Sequence, residues 1–137
     1  MPIVSVWWSH IKYRLEQAQT ALDDAKYMID GNRSPQSIVN RSYYAMFYSV
    51  LALLQKISKV PSKHSGAISL FDMEFVKKGV FSKDLSKDLH KAFELRQTVD
   101  YKIIKPITSD RAEEIWNKAF LFVQKMEQYL LKKKPLP

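Results

Sequence analysis

The sequence predicts an all-α protein, an up-and-down bundle of four long helices and one shorter helix formed by a single domain over residues 1–137. Apolar residues recur every three or four positions along most of the chain, which is the period of an amphipathic helix. No segment alternates convincingly between apolar and polar residues, as a half-buried strand would. With 46% hydrophobic and 26% charged residues and only 3 glycines, the composition is that of a globular protein.

The first two helices are separated by clear stop and start signals. The inward face of the first is expected to contain the apolar or small residues Ile11, Leu15, Ala18, Leu22, Ala25 and Ile29. Gly31 and Asn32 then end the helix, and Ser34 followed by Pro35 gives an N-cap with proline at the first helical position. The second helix carries a stripe of mostly small residues, which lets another helix approach closely: Ile38, Ser42, Ala45, Ser49 and Ala52.

Three further helices follow at short intervals. A third helix is predicted from about Ser65 to Lys78, with Gly79 ending it. A fourth begins after Ser82 and has the inward residues Leu85, Leu89, Ala92 and Phe93. The last opens near Ser109 or Asp110, and its buried residues are expected to be Ile115, Ala119, Phe122, Val123, Met126 and Leu130.

Several kinds of chemical site are missing from the sequence. With 0 cysteines the chain has no disulfide, no thiolate zinc site and no cysteine nucleophile. Its 3 histidines, His10, His64 and His90, are scattered, and no cluster of histidines and carboxylates has metal-ligand spacing. We therefore expect neither a metal nor a bound cofactor.

Neither the N-terminus nor the longest apolar run is typical of a membrane or secreted protein. The opening segment "MPIVSVWWSHIKYR" lacks the basic region, apolar core and cleavage site of a signal peptide. The longest apolar-looking run, from Tyr43 to Leu54, has about a dozen residues, whereas a membrane-spanning helix needs roughly twenty. A cytoplasmic protein without membrane contact is the expectation.

The net charge of +8 favours polyanionic partners such as RNA or nucleotides. The same charge also has an ordinary interpretation, in which it serves solubility and the electrostatics of helix ends. Charge alone does not separate the two.

The fourth helix breaks its own apolar pattern. Continuing its inward stripe by the same steps leads to Arg96 and then to Asp100, two charged residues four positions apart on one face. A buried arginine requires partners, because leaving it unpaired is costly. If the second and fourth helices pack together, one polar cluster would form from Asn40, Arg41, Tyr44, Arg96, Asp100 and Tyr101.

Two interpretations of this cluster follow from the chemistry of its side chains. The guanidinium groups could bind a phosphate while a tyrosine stacks on a base. Alternatively, the cluster is a satisfied polar network that fixes the helix register or a dimer interface and binds no ligand.

Four blocks of the sequence, "NRSYYAMFYSVLALL", "KHSGAISLF", "FVKKG" and "LRQTVDY", occur in an order and spacing that resemble the HEPN domain family, in its small stand-alone prokaryotic branch. The resemblance extends from the first helix through Tyr101. It implies a helical bundle that usually forms a homodimer, often encoded beside a minimal nucleotidyltransferase as a toxin–antitoxin-like pair.

Many HEPN proteins are metal-independent ribonucleases with an active site formed across the dimer. There an arginine, followed about one turn later by a histidine, promotes attack of the RNA 2′-hydroxyl on the adjacent phosphate. Arg96 matches that arginine, but Tyr101 stands at the nearest allowed position for the histidine, and an unperturbed tyrosine with a pKa near 10 is a poor base. His64, in the "KHSG" block, is a candidate substitute. By analogy, Tyr101 is also a candidate for nucleotidylation by the partner enzyme.

Three functional hypotheses result, and whether the protein is an enzyme stays open. The first is a homodimer that binds RNA or a nucleotide and acts with a minimal nucleotidyltransferase, without the standard catalytic histidine. The second is a metal-independent ribonuclease toxin in which His64 or Tyr101 replaces that histidine beside Arg96. The third is a non-catalytic interaction protein, with Tyr43, Phe47, Trp7 and Trp8 making the protein contacts.

Overall fold

The computed structural model describes residues 2–100 and 106–132, and for residues 2–5, 7 and 98–100 it describes the helical backbone only. The described residues form helices and connecting turns and contain no strand, which confirms the all-α prediction. The helices are α1 (Pro2–Asp30), α2 (Pro35–Lys56), α3 (His64–Phe71), α4 (Lys83–Asp100) and α5 (Ser109–Lys132).

The predicted boundary between α1 and α2 is confirmed. Asn32 adopts a positive φ of 53°, which ends the first helix in a left-handed turn. The Ser34 side chain accepts a hydrogen bond from the backbone N–H of Ser37 at 3.2 Å, and Pro35 occupies the first turn of α2. These local signals orient α2 antiparallel to α1 through a short connection.

The second helix is the central element of the fold. It packs most extensively against α1, and also against α5 and α4. Its predicted stripe is buried at every position, and the small side chains of Ser42, Ala45 and Ser49 allow the close approach of a neighbouring helix. The predicted inward residues of α5 are likewise all buried. The core of the described region therefore lies around α2.

The third helix differs from its prediction. The α-helix ends at Phe71 and continues as a π-helical turn, Asp72–Val76, in which the backbone N–H of Lys77 donates to the carbonyl of Asp72 at 2.8 Å. Phe71 and Phe75, which are four residues apart and so lie on one face of this helical segment, are both buried in the core. Gly79, with a φ of 80°, then ends the segment as predicted.

The start of the fourth helix is also confirmed. Ser82 accepts the backbone N–H of Leu85 through its carbonyl at 3.2 Å and through its hydroxyl at 3.4 Å. Of the predicted inward residues, Leu85, Leu89 and Ala92 are buried and Phe93 is half-buried. Arg96 therefore follows an apolar stripe that faces the core. In the described part of the chain no helix is long and apolar enough to span a membrane.

Candidate functional site

Side chains of α2, α3 and α4 meet in a group that we call the arginine–tyrosine cluster, defined as Arg41, Tyr43, Tyr44, His64 and Arg96. The second and fourth helices pack against each other, as the interpretation of the sequence required. A hydrogen bond of 3.3 Å from Arg96 Nη2 to the hydroxyl oxygen of Tyr44 joins them directly. Three helices thus position one group of cationic and aromatic side chains.

Arg96 is held mainly by aromatic rings. Its guanidinium carbon lies 5.3 Å from the ring centroid of Tyr44 and 5.8 Å from that of Tyr43, distances at which a cation is attracted to a ring face. No carboxylate among the described side chains forms an ion pair with it. Its Nε atom is buried without a hydrogen-bond partner. Rings thus support the cation, and among the described side chains only the Tyr44 hydroxyl accepts one of its five N–H donors.

Arg41 approaches the same tyrosine. Its guanidinium carbon lies 5.1 Å from the ring centroid of Tyr44, and its Nη2 donates to Asn40 Oδ1 at a long 3.5 Å. No hydrogen bond between Asn40 and Tyr44 occurs in the described region, and Asn40 Oδ1 accepts from Arg41 instead. Arg41 also borders an open groove of about 310 Å³ between α1 and α2, lined in addition by Tyr13, Glu16, Gln17, Thr20, Ala21 and Tyr48.

His64 belongs to the cluster through Tyr43 and Phe47. Its Nδ1 lies 2.7 Å from the Tyr43 hydroxyl oxygen, and its ring stacks on Phe47 with a centroid distance of 4.1 Å and an interplanar angle of 2°. Burial lowers the pKa of His64 below its ordinary value, and the positive charge of Arg96 lowers it further. His64 is therefore held as a neutral ring near the arginine, a proximity that the sequence alone did not reveal.

Tyr43 is a residue whose position the sequence analysis misjudged. Its side chain is 0% exposed, so Tyr43 does not make the protein contacts that the third hypothesis assigned to it. Burial is the main cause of a strongly raised pKa, which keeps its hydroxyl protonated. Tyr43 and Phe47 are four positions apart and so share a second face of α2. This spacing was the sequence signal for a contact between that face and another helix.

Other predicted residues fall outside this cluster or outside the described side chains. Phe47 is half-buried beside the cluster, against His64, and Trp8 is half-buried against the core. Asp100 is described only as the last backbone position of α4, and both Tyr101 and the side chain of Trp7 lie outside the described residues. Their proposed roles stay predictions.

A second charged region lies on another face of α4. A groove of about 330 Å³, which we call the α4–α5 groove, is lined by Lys87, Asp88, Lys91, Arg111, Glu114, Ile115 and Lys118. Here the cations have carboxylate neighbours: Arg111 pairs with Glu114, and Lys118 Nζ lies 3.9 Å from Asp88 Oδ1. Within the described residues, no group of three or more histidine and carboxylate side chains is arranged to hold a metal ion.

Comparison with known proteins identifies related sequences over most of the chain. A model of the HEPN domain matches residues 11–129. A UPF0332 protein from Thermotoga maritima is 38% identical over 120 residues, which are 88% of this chain and 90% of that protein. Two proteins of Methanocaldococcus jannaschii, each named "putative toxin", are 33% and 34% identical; the matches span 87% and 88% of this chain and 80% and 88% of theirs.

Proposed function

The chain belongs to the HEPN domain family, and on that premise we propose that it is a toxin-like protein that binds RNA or a nucleotide through the arginine–tyrosine cluster. The observation that carries this proposal is the state of Arg96, whose cation rests on tyrosine rings rather than on a described carboxylate. A guanidinium neutralised by a carboxylate has fewer donors left for a phosphate. Among the described side chains, neither Arg96 nor Arg41 forms an ion pair with a carboxylate, so donors of both remain for a phosphate.

The chemistry of the cluster fits a nucleotide in two respects. The planar guanidinium forks match the oxygen atoms of a phosphate and form charge-assisted hydrogen bonds with it. The half-buried rings of Tyr44 and Tyr48, whose centroids are 5.7 Å apart, offer aromatic surface beside those cations. Base stacking on such rings is tolerant of sequence, which favours a single-stranded RNA or a free nucleotide.

The proposal includes the partners and setting that family membership implies. The protein would act in the cytoplasm as a homodimer, beside a minimal nucleotidyltransferase, with Tyr101 as a candidate acceptor of a nucleotidyl group. Asn40 and Asp100 would complete the binding surface around Arg41 and Arg96. Co-expression with such an enzyme, followed by mass measurement of wild type and Tyr101→Phe, tests the acceptor: an added nucleotidyl mass in both proteins would reject Tyr101.

A binding titration tests the proposed site. Wild type and an Arg41→Ala/Arg96→Ala variant are titrated with a short labelled single-stranded RNA and with ATP, and circular dichroism verifies that the variant is folded. We expect saturable binding by the wild type and its loss in the variant. Equal binding by both proteins, or binding by neither, would assign the cluster a structural role and contradict the proposal.

A second candidate function, metal-independent cleavage of RNA, is favoured by the position of His64. The ring lies in the same cluster as Arg96 and is neutral near pH 7 because its pKa is lowered. A neutral histidine is the usual general base for such chemistry. Incubation of the protein with RNA in the presence of a chelator tests this candidate, and intact RNA at high protein concentration over a range of pH values excludes it.

A further inference from the structure

We propose that Tyr43 is a positioning residue that fixes the proton of His64 on Nε2, so that His64 serves the cluster as a neutral hydrogen-bond donor to a phosphate oxygen. This inference rests on the proposed function for the identity of the ligand. The protonation state itself is independent of the proposed function, because it follows from the contacts of the two side chains.

The direction of the bond between Tyr43 and His64 follows from the burial of the tyrosine. The hydroxyl oxygen of Tyr43 lies 2.7 Å from Nδ1 of His64, and among the described residues it has no second hydrogen-bond partner. If Nδ1 carried the proton and donated it, the hydroxyl hydrogen of a fully buried tyrosine would be left without an acceptor. Leaving a buried donor unsatisfied is costly. The lower-energy arrangement has Tyr43 donating to Nδ1.

With Nδ1 accepting, the neutral imidazole must carry its proton on Nε2. Addition of a second proton would place one on Nδ1 and force the hydroxyl group of Tyr43 to give up its only described acceptor. Burial of the ring and the nearby charge of Arg96 also disfavour the imidazolium form. No described carboxylate pairs with His64 to stabilise that cation.

The Nε2–H group is available for a ligand beside Arg96. Within the described region, Nε2 of His64 has no hydrogen-bond partner, and it does not belong to the buried unpaired atoms, which are Ser42 Oγ and Arg96 Nε. Both His64 and Arg96 flank the ring of Tyr44, at 5.6 Å between ring centroids and at 5.3 Å from the guanidinium carbon. Both donors thus lie near the same tyrosine ring, and the proposal assigns them to one anionic group.

This protonation state separates the two candidate functions. A general base needs a free electron pair on the nitrogen that faces the substrate, and in the inferred state that nitrogen already carries hydrogen. His64 would therefore strengthen phosphate binding without accepting the proton of a 2′-hydroxyl. The RNA would be bound at the cluster and left uncleaved by this histidine.

Nitrogen NMR of the histidine rings measures the protonation state directly. In protein with ¹⁵N-labelled histidine, at neutral pH and without ligand, His64 is expected to show a protonated Nε2 and an unprotonated Nδ1. The spectrum of His64→Gln identifies its signals by their loss. In Tyr43→Phe the fixed state should give way to a mixture of both neutral forms, a change that loss of packing alone would not cause. A proton on Nδ1 in the wild type would overturn the inference.

Binding of the short labelled RNA tests the role of the donor. Glutamine can place an amide N–H close to the position of Nε2 but cannot act as a base at neutral pH, so His64→Gln should bind within about threefold of the wild type, whereas His64→Ala should bind about tenfold more weakly. Equal binding by all three proteins would contradict the donor role. If the wild type shows the Nε2 proton yet binds neither RNA nor ATP, the proposed function fails while the assigned protonation state stands.

Discussion

The arginine–tyrosine cluster and the α4–α5 groove both contain cations beside the fourth helix, but the neighbours of those cations differ. In the groove, Arg111 and Lys118 have the carboxylates of Glu114 and Asp88 beside them. In the cluster, Arg96 rests against two tyrosine rings. A ring face attracts a cation without accepting its N–H hydrogens in strong hydrogen bonds. Under the proposed function, the cluster is therefore the better candidate for binding a phosphate.

The comparison shows why net charge is a poor guide to the binding surface. The groove contains four cationic and two anionic side chains within one small volume. Exposed pairs of this kind contribute little to stability and reduce the local positive potential. A smaller number of cations that form no ion pair with a described carboxylate can bind a polyanion more effectively than a larger number that do. The +8 charge would assist the approach of RNA to either region.

The largest expected effect concerns one arginine from each region. Arg96→Ala should weaken the binding of a short single-stranded RNA by roughly 10- to 100-fold, because charge-assisted hydrogen bonds to a phosphate are lost. Arg111→Ala removes the same charge from the groove and should change affinity by less than about threefold. Fluorescence anisotropy with labelled RNA measures both.

Arg96→Lys provides the matched control for charge. Lysine keeps the cation but loses the planar fork, so it should recover only part of the affinity. A larger loss in Arg111→Ala than in Arg96→Ala would reverse the comparison and move the site to the α4–α5 groove.

Salt dependence sharpens the comparison further. For single strands the slope of log affinity against log salt is about −0.7 for each phosphate that a protein neutralises. An Arg41→Ala/Arg96→Ala variant should therefore show a slope smaller in magnitude by about 1.4, provided that residual binding is measurable. A Lys91→Ala/Arg111→Ala variant, with two cations removed from the groove, should keep the wild-type slope. Equal reductions in both variants would indicate long-range charge effects instead of two specific contacts.

A stability measurement separates the structural and ligand-binding parts of the cluster. Tyr43→Phe should lower the free energy of unfolding by about 1 kcal/mol, because Nδ1 of His64 loses its partner while the ring packing is kept. Lys26→Ala, which removes an exposed pair with Asp30, should cost less than about 0.5 kcal/mol. Urea denaturation of wild type, Tyr43→Phe and Lys26→Ala measures these free energies of unfolding. An unchanged value in Tyr43→Phe would show that the hydroxyl contact does not contribute to stability.

The smallest expected effect is a dependence of stability on pH. Because the folded-state pKa of His64 is depressed, its stabilising contribution is fully present above the unfolded-state pKa of about 6.5 and is lost as the pH falls through the lower folded-state value. Burial raises the pKa values of Asp88 and Glu127, so their contributions have the opposite sign. Those contributions are common to wild type and His64→Gln.

The difference between wild type and His64→Gln therefore isolates the histidine. Between pH 7.5 and 5, the wild type should lose stability more steeply than the variant in urea denaturation. Parallel curves for the two proteins would mean that His64 titrates alike in the folded and unfolded chains.

Most of the helical architecture could be predicted from local signals. The cap at Ser34 and the turn at Gly79 lie where short-range chemistry places them, and the periodicity identified the buried faces. The same periodicity extended the inward stripe of α4 to Arg96. The charged residue at an inward position identified Arg96 as a candidate site residue and predicted its contact with α2.

The rest of the site depends on contacts between residues far apart in the chain. His64 meets Tyr43 across 21 positions, and no local pattern fixes the angle at which α3 returns to α2. The π-helical turn after Phe71 was also missed, since its hydrogen bonds add one residue to a turn without a distinctive composition. The contact of His64 with Tyr43 and the π-helical turn both depend on how helices pack together. Sequence periodicity predicts only which face of a single helix is buried.

Amide chemical-shift mapping of the wild-type protein during titration with a short single-stranded RNA tests directly whether the arginine–tyrosine cluster is the binding site. The largest shifts are expected at Tyr44, His64 and Arg96 and at their immediate neighbours, with smaller changes along the groove between α1 and α2. Shifts concentrated instead at Lys87, Lys91 and Lys118, or no saturable shifts at all, would contradict the assignment.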